Sequence, residues 1–218
     1  MTIVFDFDGT IHNTLRLYGQ AFRQSYAFLV EQRVAPPRRY TDEEVSVYLG
    51  MSAPDMWRTF MPQLPQALKD EASAVIGRAM IAGVKRGEAV LYDGIAETLR
   101  QLKAQGHCLL ILSNCRVAYM DAHRQAEGLD DYFTDYFCAE QYNFIPKEQI
   151  FPLLAARYPD EHYCMVGDRS SDIQVGIVHH IPTIGCLYGF GSAEELSHAD
   201  YTVHTPAEIL SVTARLRT

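Results

Sequence analysis

Short apolar runs alternate with amphipathic stretches over most of this chain, and the rhythm is interrupted once. Ile3-Val4-Phe5 reads as a strand buried on both faces, as at the centre of a parallel sheet. From about residue 14 to 88 no convincing strand follows. That segment reads as helices with breaks at Pro36-Pro37, Gly50, Pro54, Pro62 and Pro65. Alternation resumes at Tyr92-Asp93-Gly94, with a helix near 94–105, the strand Cys108 to Leu112, a helix near 116–127, a short strand at about 135–138 and a helix starting near Lys147. The strand Tyr163-Cys164-Met165-Val166, a helix over about 171–179, the strand Pro182 to Cys186, a short strand at Tyr201-Thr202-Val203 and a final helix from Pro206 complete the series. Strands and helices alternating at these lengths imply an α/β fold, a doubly wound parallel sheet covered on both faces. Residues 14–88 then form an inserted helical domain, and 1–13 with 89–218 form the core.

Polar residues recur at the carboxyl ends of these strands. Asp6 and Asp8 follow the first strand two positions apart, a spacing that turns both side chains to one side and Phe5 and Phe7 to the other. Gly9 follows at once and lets the chain turn sharply, bringing backbone N–H groups close to an anion. The strand Cys108 to Leu112 runs into Ser113-Asn114, and the strand ending at Val166 runs into Gly167-Asp168-Arg169-Ser170-Ser171-Asp172. In open α/β sheets ligands bind at that edge. A parallel sheet gathers Asp6, Asp8, Asp168 and Asp172 there, with Ser113 and Asn114 beside them. Unit charges about 4 Å apart repel by roughly 4 kcal/mol at an effective dielectric near 20, so the cluster calls for a hard cation with oxygen ligands. Mg²⁺, which keeps several waters and shares its shell with phosphate, suits so few carboxylates best. The arrangement reads as a metal-dependent phosphoryl-transfer site. Lys147, the sole lysine after residue 103, opens a helix behind Pro146, where a cation opposes the helix macrodipole. A nearby anion explains that placement; a solvated surface lysine is the alternative.

Composition adds bounds. At 218 residues, 48% hydrophobic and 21% charged, the chain can bury the core of an enzyme-sized unit. The net charge of −8 argues against a nucleic-acid partner, since surfaces that bind such backbones are basic. No run reaches the roughly eighteen apolar residues of a membrane span, and the first strand is not preceded by a signal-like region. A cytoplasmic protein, as monomer or homodimer and without a membrane partner, is expected. The five cysteines are scattered through apolar runs and read as reduced core residues.

DFDGT at 6–10, the strand ending in SN at 113–114, a lysine opening a later helix and GDRSSD at 167–172 together resemble the four motifs of the haloacid dehalogenase (HAD) superfamily, in order and spacing. The helical insert after the first motif, and the stretch from Ile184 through Tyr188-Gly189-Phe190-Gly191, are similar to the phosphoglycolate phosphatase-like branch. The resemblance implies a Rossmann-like core with a helical cap and a Mg²⁺-dependent phosphatase acting on a small phosphorylated metabolite. It implies Asp6 as nucleophile, Asp8 as general acid and base, and Ser113, Asn114 and Lys147 as holders of the phosphoryl oxygens. Asp6, Asp8 through its carbonyl, and Asp168 would bind the metal, steadied by Asp172. An aspartate at position 8 favours phosphoryl transfer over dehalogenation, which has no leaving alkoxide to protonate. Two departures stand out. Here the order is Pro146-Lys147, where many relatives carry Lys-Pro, and Asn13 stands where they often have an acid. A phosphomutase of the same architecture and a catalytically idle binding module remain as alternatives.

Other residues carry weaker readings. His12 reads as a loop residue without a catalytic role, and His179-His180 as structural at a helix end. Gly50-Met51-Ser52 is a break that could face the site. Met56, Trp57 and Phe60 have the spacing of a helical core face. Arg116 either reaches substrate from the loop after Ser113 or is an exposed first-turn arginine, and Arg169 has no readable direction.

Overall fold

The computed structural model describes residues 1–216. Six parallel strands, β1 (Thr2–Phe5), β2 (Cys108–Ser113), β3 (Asp135–Cys138), β4 (Tyr163–Gly167), β5 (Thr183–Cys186) and β6 (Tyr201–Val203), form one sheet in the order β3-β2-β1-β4-β5-β6. β1 is central, with Phe5 opposite Ile111 on one side and Val166 on the other. Its alternation sorts the core into two. Ile3 and Phe5 pack with Leu109, Ile111 and Val166 on one face of the sheet, and Val4 packs with Leu110, Leu112 and Met165 on the other. The first face is covered by α5 (Ile95–Ala104), α6 (Val117–Glu127) and α9 (Glu208–Leu216), the second by α7 (Lys147–Arg157) and α8 (Ser170–His179). This is the doubly wound arrangement the alternation implies.

Between β1 and α5 the described chain is helical, as expected: α1 (Leu15–Glu31), α2 (Asp42–Ser46), α3 (Ala53–Phe60) and α4 (Gln66–Lys85). Their starts follow from local chemistry. Thr41 and Glu44 form a reciprocal capping box on α2, and Ser52 caps α3 by accepting from Asp55 N–H. Pro54 is a correction to the sequence reading. It lies inside the first turn of α3, where its missing N–H costs no hydrogen bond, and breaks nothing. The long helices α1 and α4 pack on each other, and α4 also packs on α6. The helical layer thereby rests over the carboxyl edge of the sheet, its apolar residues continuous with the first core face. No described helix is long and apolar enough to cross a membrane, and all five cysteines are free thiols.

Candidate active site

β1 stops at Phe5, and the chain then turns back on itself. The Phe7 carbonyl accepts from Ile11 N–H at 2.8 Å and His12 N–H at 3.0 Å. Gly9 holds φ +91°, and a Cβ there would lie 2.2 Å from Asp168 Oδ2, so this position tolerates neither the backbone strain nor the bulk of a side chain. Asp6 remains in line with the sheet, its N–H donating to Val166 O at 2.8 Å. The strand alternation does not extend to Asp8, whose carboxylate is drawn toward α6.

Asp6, Asp168 and Asp172, all buried, each present a carboxylate oxygen within 4.8 Å of the others. Lys147 stands among them at 1% exposure, 2.7 Å from Asp6 Oδ1 and 2.6 Å from Asp172 Oδ1. That excludes the surface reading of Lys147. Burial alone would pull this ammonium's pKa down, but Asp172 and Asp6 outweigh it and hold the group protonated. One ammonium does not neutralise three buried carboxylates. Burial pushes the Asp6 carboxyl well above its usual range, with Lys147 opposing and Asp172 and Asp168 adding to the rise. Burial, then the Asp172 charge, pushes Asp168 up to about 7. A hard divalent cation with oxygen ligands fits this donor set, because it supplies the positive charge the cluster lacks.

Each carboxylate is also held in place. Asp168 accepts from Thr10 Oγ1 at 3.2 Å and from Phe190 N–H at 2.8 Å. The loop carrying Phe190 approaches so closely that a Cβ on Gly189 would sit 2.3 Å from Asp168 Cβ. Asp172 accepts Arg169 N–H at 3.0 Å through the oxygen that Lys147 does not use, closing the first turn of α8.

Asp8 lies outside the three-carboxylate cluster but lines the same cavity as Asp6. Its Oδ1 accepts from Thr14 Oγ1 at 2.6 Å and Tyr119 OH at 2.9 Å, and meets His12 Nδ1 at 3.3 Å. Burial would raise its pKa, but the His12 hydrogen bond and charge, with the Thr14 bond, bring it below the ordinary value. His12 lies in the segment between β1 and α1, as a loop residue would, but is not exposed to solvent. Its ring lies 4.5 Å from that of His123 on α6. Tyr119 carried no sequence signal beyond its place on the first turn of the helix after Ser113-Asn114, and sequence reasoning missed it.

Ser113 is buried at the end of β2, where its Oγ accepts Cys115 N–H at 3.3 Å. Asn114 reaches the helical layer, donating from Nδ2 to Gly50 O at 2.8 Å. From the other side Arg169 donates to Leu49 O at 2.5 Å and is itself held by Glu195 at 2.9 Å. The Leu49–Gly50 turn is thus tied to two strand ends. Met51 and Met56 line the cavity with Arg116, while Trp57 is core and donates from Nε1 to Ser73 at 2.6 Å. His179 is structural, bonded to Glu148 O and packed on Phe151.

Comparisons with known proteins bear on the family and the fold. Residues 1–180 match the family model described as haloacid dehalogenase-like hydrolase. The chain is 26% identical to the pyrophosphatase PpaX of Listeria monocytogenes over 219 residues, 97% of this chain and 95% of that one. It is 24% identical to a phosphoglycolate phosphatase of Vibrio vulnificus, covering 96% of this chain and 94% of the relative. A predicted phosphatase from Clostridium acetobutylicum has the same fold at TM-score 0.84 and 21% identity, with 98% of each chain covered.

Proposed function

Because the chain belongs to the haloacid dehalogenase-like hydrolases, we propose that it is a Mg²⁺-dependent phosphatase that hydrolyses a small phosphomonoester through an aspartyl-phosphate on Asp6. The observation that carries this reading is the pairing of two unlike carboxylates on one cavity. Asp6 is set among Lys147, Asp168 and Asp172, and Asp8 is held apart by Thr14, Tyr119 and His12.

Asp6 attacks phosphorus in line and the ester oxygen leaves, splitting one hard displacement into two easier ones. Asp8 delivers a proton to the departing alkoxide. A phosphoryl dianion arriving beside it raises its pKa, so that proton is taken up as substrate binds. In the second half Asp8 accepts a proton from the water that cleaves the acyl phosphate, restoring Asp6 and releasing phosphate. Lys147 offsets charge on the Asp6 side, and Ser113 and Asn114 sit where the phosphoryl oxygens come to rest. Asp6, Asp168 and the Asp8 carbonyl would hold Mg²⁺, with Asp172 steadying that shell; bound there, the cation would neutralise the carboxylates and the phosphoryl oxygens. Residues 14–88 act as a cap that excludes water from the reacting groups.

A mutase would need an acid or base from the cap. The described residues that layer contributes to the cavity are apolar or hydroxylic, which favours hydrolysis. The substrate in this reading is a small phosphorylated metabolite, and the enzyme acts in the cytoplasm. The test is phosphate release from a panel of phosphomonoesters with Mg²⁺ and with EDTA. Metal-dependent release is expected; no release from any ester overturns the reading.

A further inference from the structure

The cavity continues from Asp6, Asp8, Ser113 and Asn114 into the helical layer, where its wall changes character. Tyr18, Tyr48, Met51, Met56, Ile76 and Met80 line it there, with only the hydroxyls of Thr14 and Ser73 as further polar side chains among the described residues, and the atom-free space, its open mouth included, is about 810 Å³. Gly77 of α4 also faces this space, and a Cβ built there meets nothing within 4 Å.

Charge is missing from this end. Arg116 is the one cation lining the cavity among the described residues, and it is committed to Glu140 at 3.2 Å and lies over the Phe144 ring. Close to the site, Lys147 is bound to Asp6 and Asp172, and Arg169 to Leu49 O and Glu195. A carboxylate or second phosphate on the leaving group would lose its water among thioethers and rings and gain only an arginine already shared with Glu140, which is costly. An apolar group of matching size loses nothing and gains contact.

Resting on the phosphatase reading for where the phosphoryl end lies, we infer that the leaving group taken by this site is uncharged and largely apolar, an aryl or extended alkyl alcohol. Glycolate and phosphate, the leaving groups implied by the names of the two curated relatives, do not suit it.

The experiment is calorimetric titration of the Mg²⁺-supplemented protein with three non-hydrolysable ligands, hexylphosphonate, carboxyethylphosphonate and methylphosphonate. Hexylphosphonate is expected to bind at least tenfold tighter than either of the others, a gain that needs only about two of its methylenes to leave water. Gly77→Leu, which fills the open space and suits a helix better than glycine, should bring the hexyl ligand to within about threefold of methylphosphonate on the same variant. Gly77→Arg should invert the order by giving the carboxylate a partner. Carboxyethylphosphonate binding as tightly as the hexyl ligand to the unmodified protein, or a hexyl advantage that survives Gly77→Leu, overturns the inference. Binding preference without turnover of any ester would sink the phosphatase reading and leave standing only the apolar preference of the cavity beside the phosphonate. Metal-dependent phosphate release without the preference would do the reverse, and no binding of any phosphonate overturns both.

Discussion

The Tyr119 hydroxyl donates to Asp8 Oδ1 at 2.9 Å and shares that oxygen with Thr14 and His12; in the proposed mechanism Oδ2 is then the oxygen that carries the reacting proton. Burial, then the Asp8 charge and hydrogen bond, push the Tyr119 phenol well above its usual range, so it stays a donor throughout the working pH range. A hydrogen bond to a charged group contributes about 1.5–3 kcal/mol. Tyr119→Phe is therefore expected to lower kcat/KM for an alkyl phosphate about tenfold while sparing p-nitrophenyl phosphate, whose leaving group needs no proton. A merely structural role would lower both alike, and phosphate-release kinetics on the two esters separate the cases.

Lys147 is buried between Asp6 and Asp172, so its removal leaves carboxylates without their partner. Lys147→Met should cost about 3–5 kcal/mol of stability in metal-free buffer, read from denaturant midpoints. Added Mg²⁺ should recover part of the loss, because it competes for the same negative charge. Equal stability of the two proteins without metal would contradict this.

Metal removal should make stability fall as pH rises. The Asp168 carboxyl lies at about 7 in the folded chain against an ordinary 3.8, pushed up by burial and then by Asp172, and Asp6 is shifted the same way. The native state therefore binds more protons than the unfolded chain between those values, and stability declines across about pH 4 to 7. Asp8 has the opposite sign in a window below its ordinary value of 3.8, and His123, whose pKa burial lowers from 6.5, opposes the fall below that value; both act alike with and without metal, so the gap between the two curves carries the test. Thermal unfolding in EDTA should show a midpoint dropping over that range, with the gap to the Mg²⁺ curve widening as the carboxylates ionise. Parallel curves would rule this out.

Gly9→Ala should disable the site rather than merely slow it. Its φ of +91° and the 2.2 Å approach of a Cβ to Asp168 Oδ2 force Asp168 out of place. Mg²⁺ affinity and kcat/KM should each fall by about two orders of magnitude or more, measured by metal titration and phosphate release.

The sheet and the three-carboxylate cluster were legible because they depend on short-range signals. Apolar runs such as Cys108 to Leu112 end in polar pairs, and a parallel sheet brings such ends to one edge. Lys147 needed the structure, since a lysine at a helix start reads alike whether it faces water or carboxylates. The same holds for His12 and Tyr119, whose burial depends on α6 packing beside the turn after β1. That Asp6 and Asp8 face one cavity was legible from their spacing, but Asp8's place outside the three-carboxylate cluster was not, because the strand stops at Phe5 and the turn after it carries the Asp8 carboxylate toward α6. The apolar wall was hidden because Tyr18, Met56 and Met80 belong to three helices, and no single period shows that they face one space.

The most direct test of the account is a search for the phosphoryl group on Asp6. Asp8→Asn protein, mixed with p-nitrophenyl phosphate and Mg²⁺ and quenched in acid, should yield a peptic peptide containing Asp6 that carries one phosphoryl group, since the variant slows hydrolysis of the intermediate. Asp6→Asn should yield none while keeping its fold. Phosphate release by the wild-type protein with no phosphorylated Asp6 peptide in either quench, or activity retained by Asp6→Asn, would contradict a covalent route through this carboxylate.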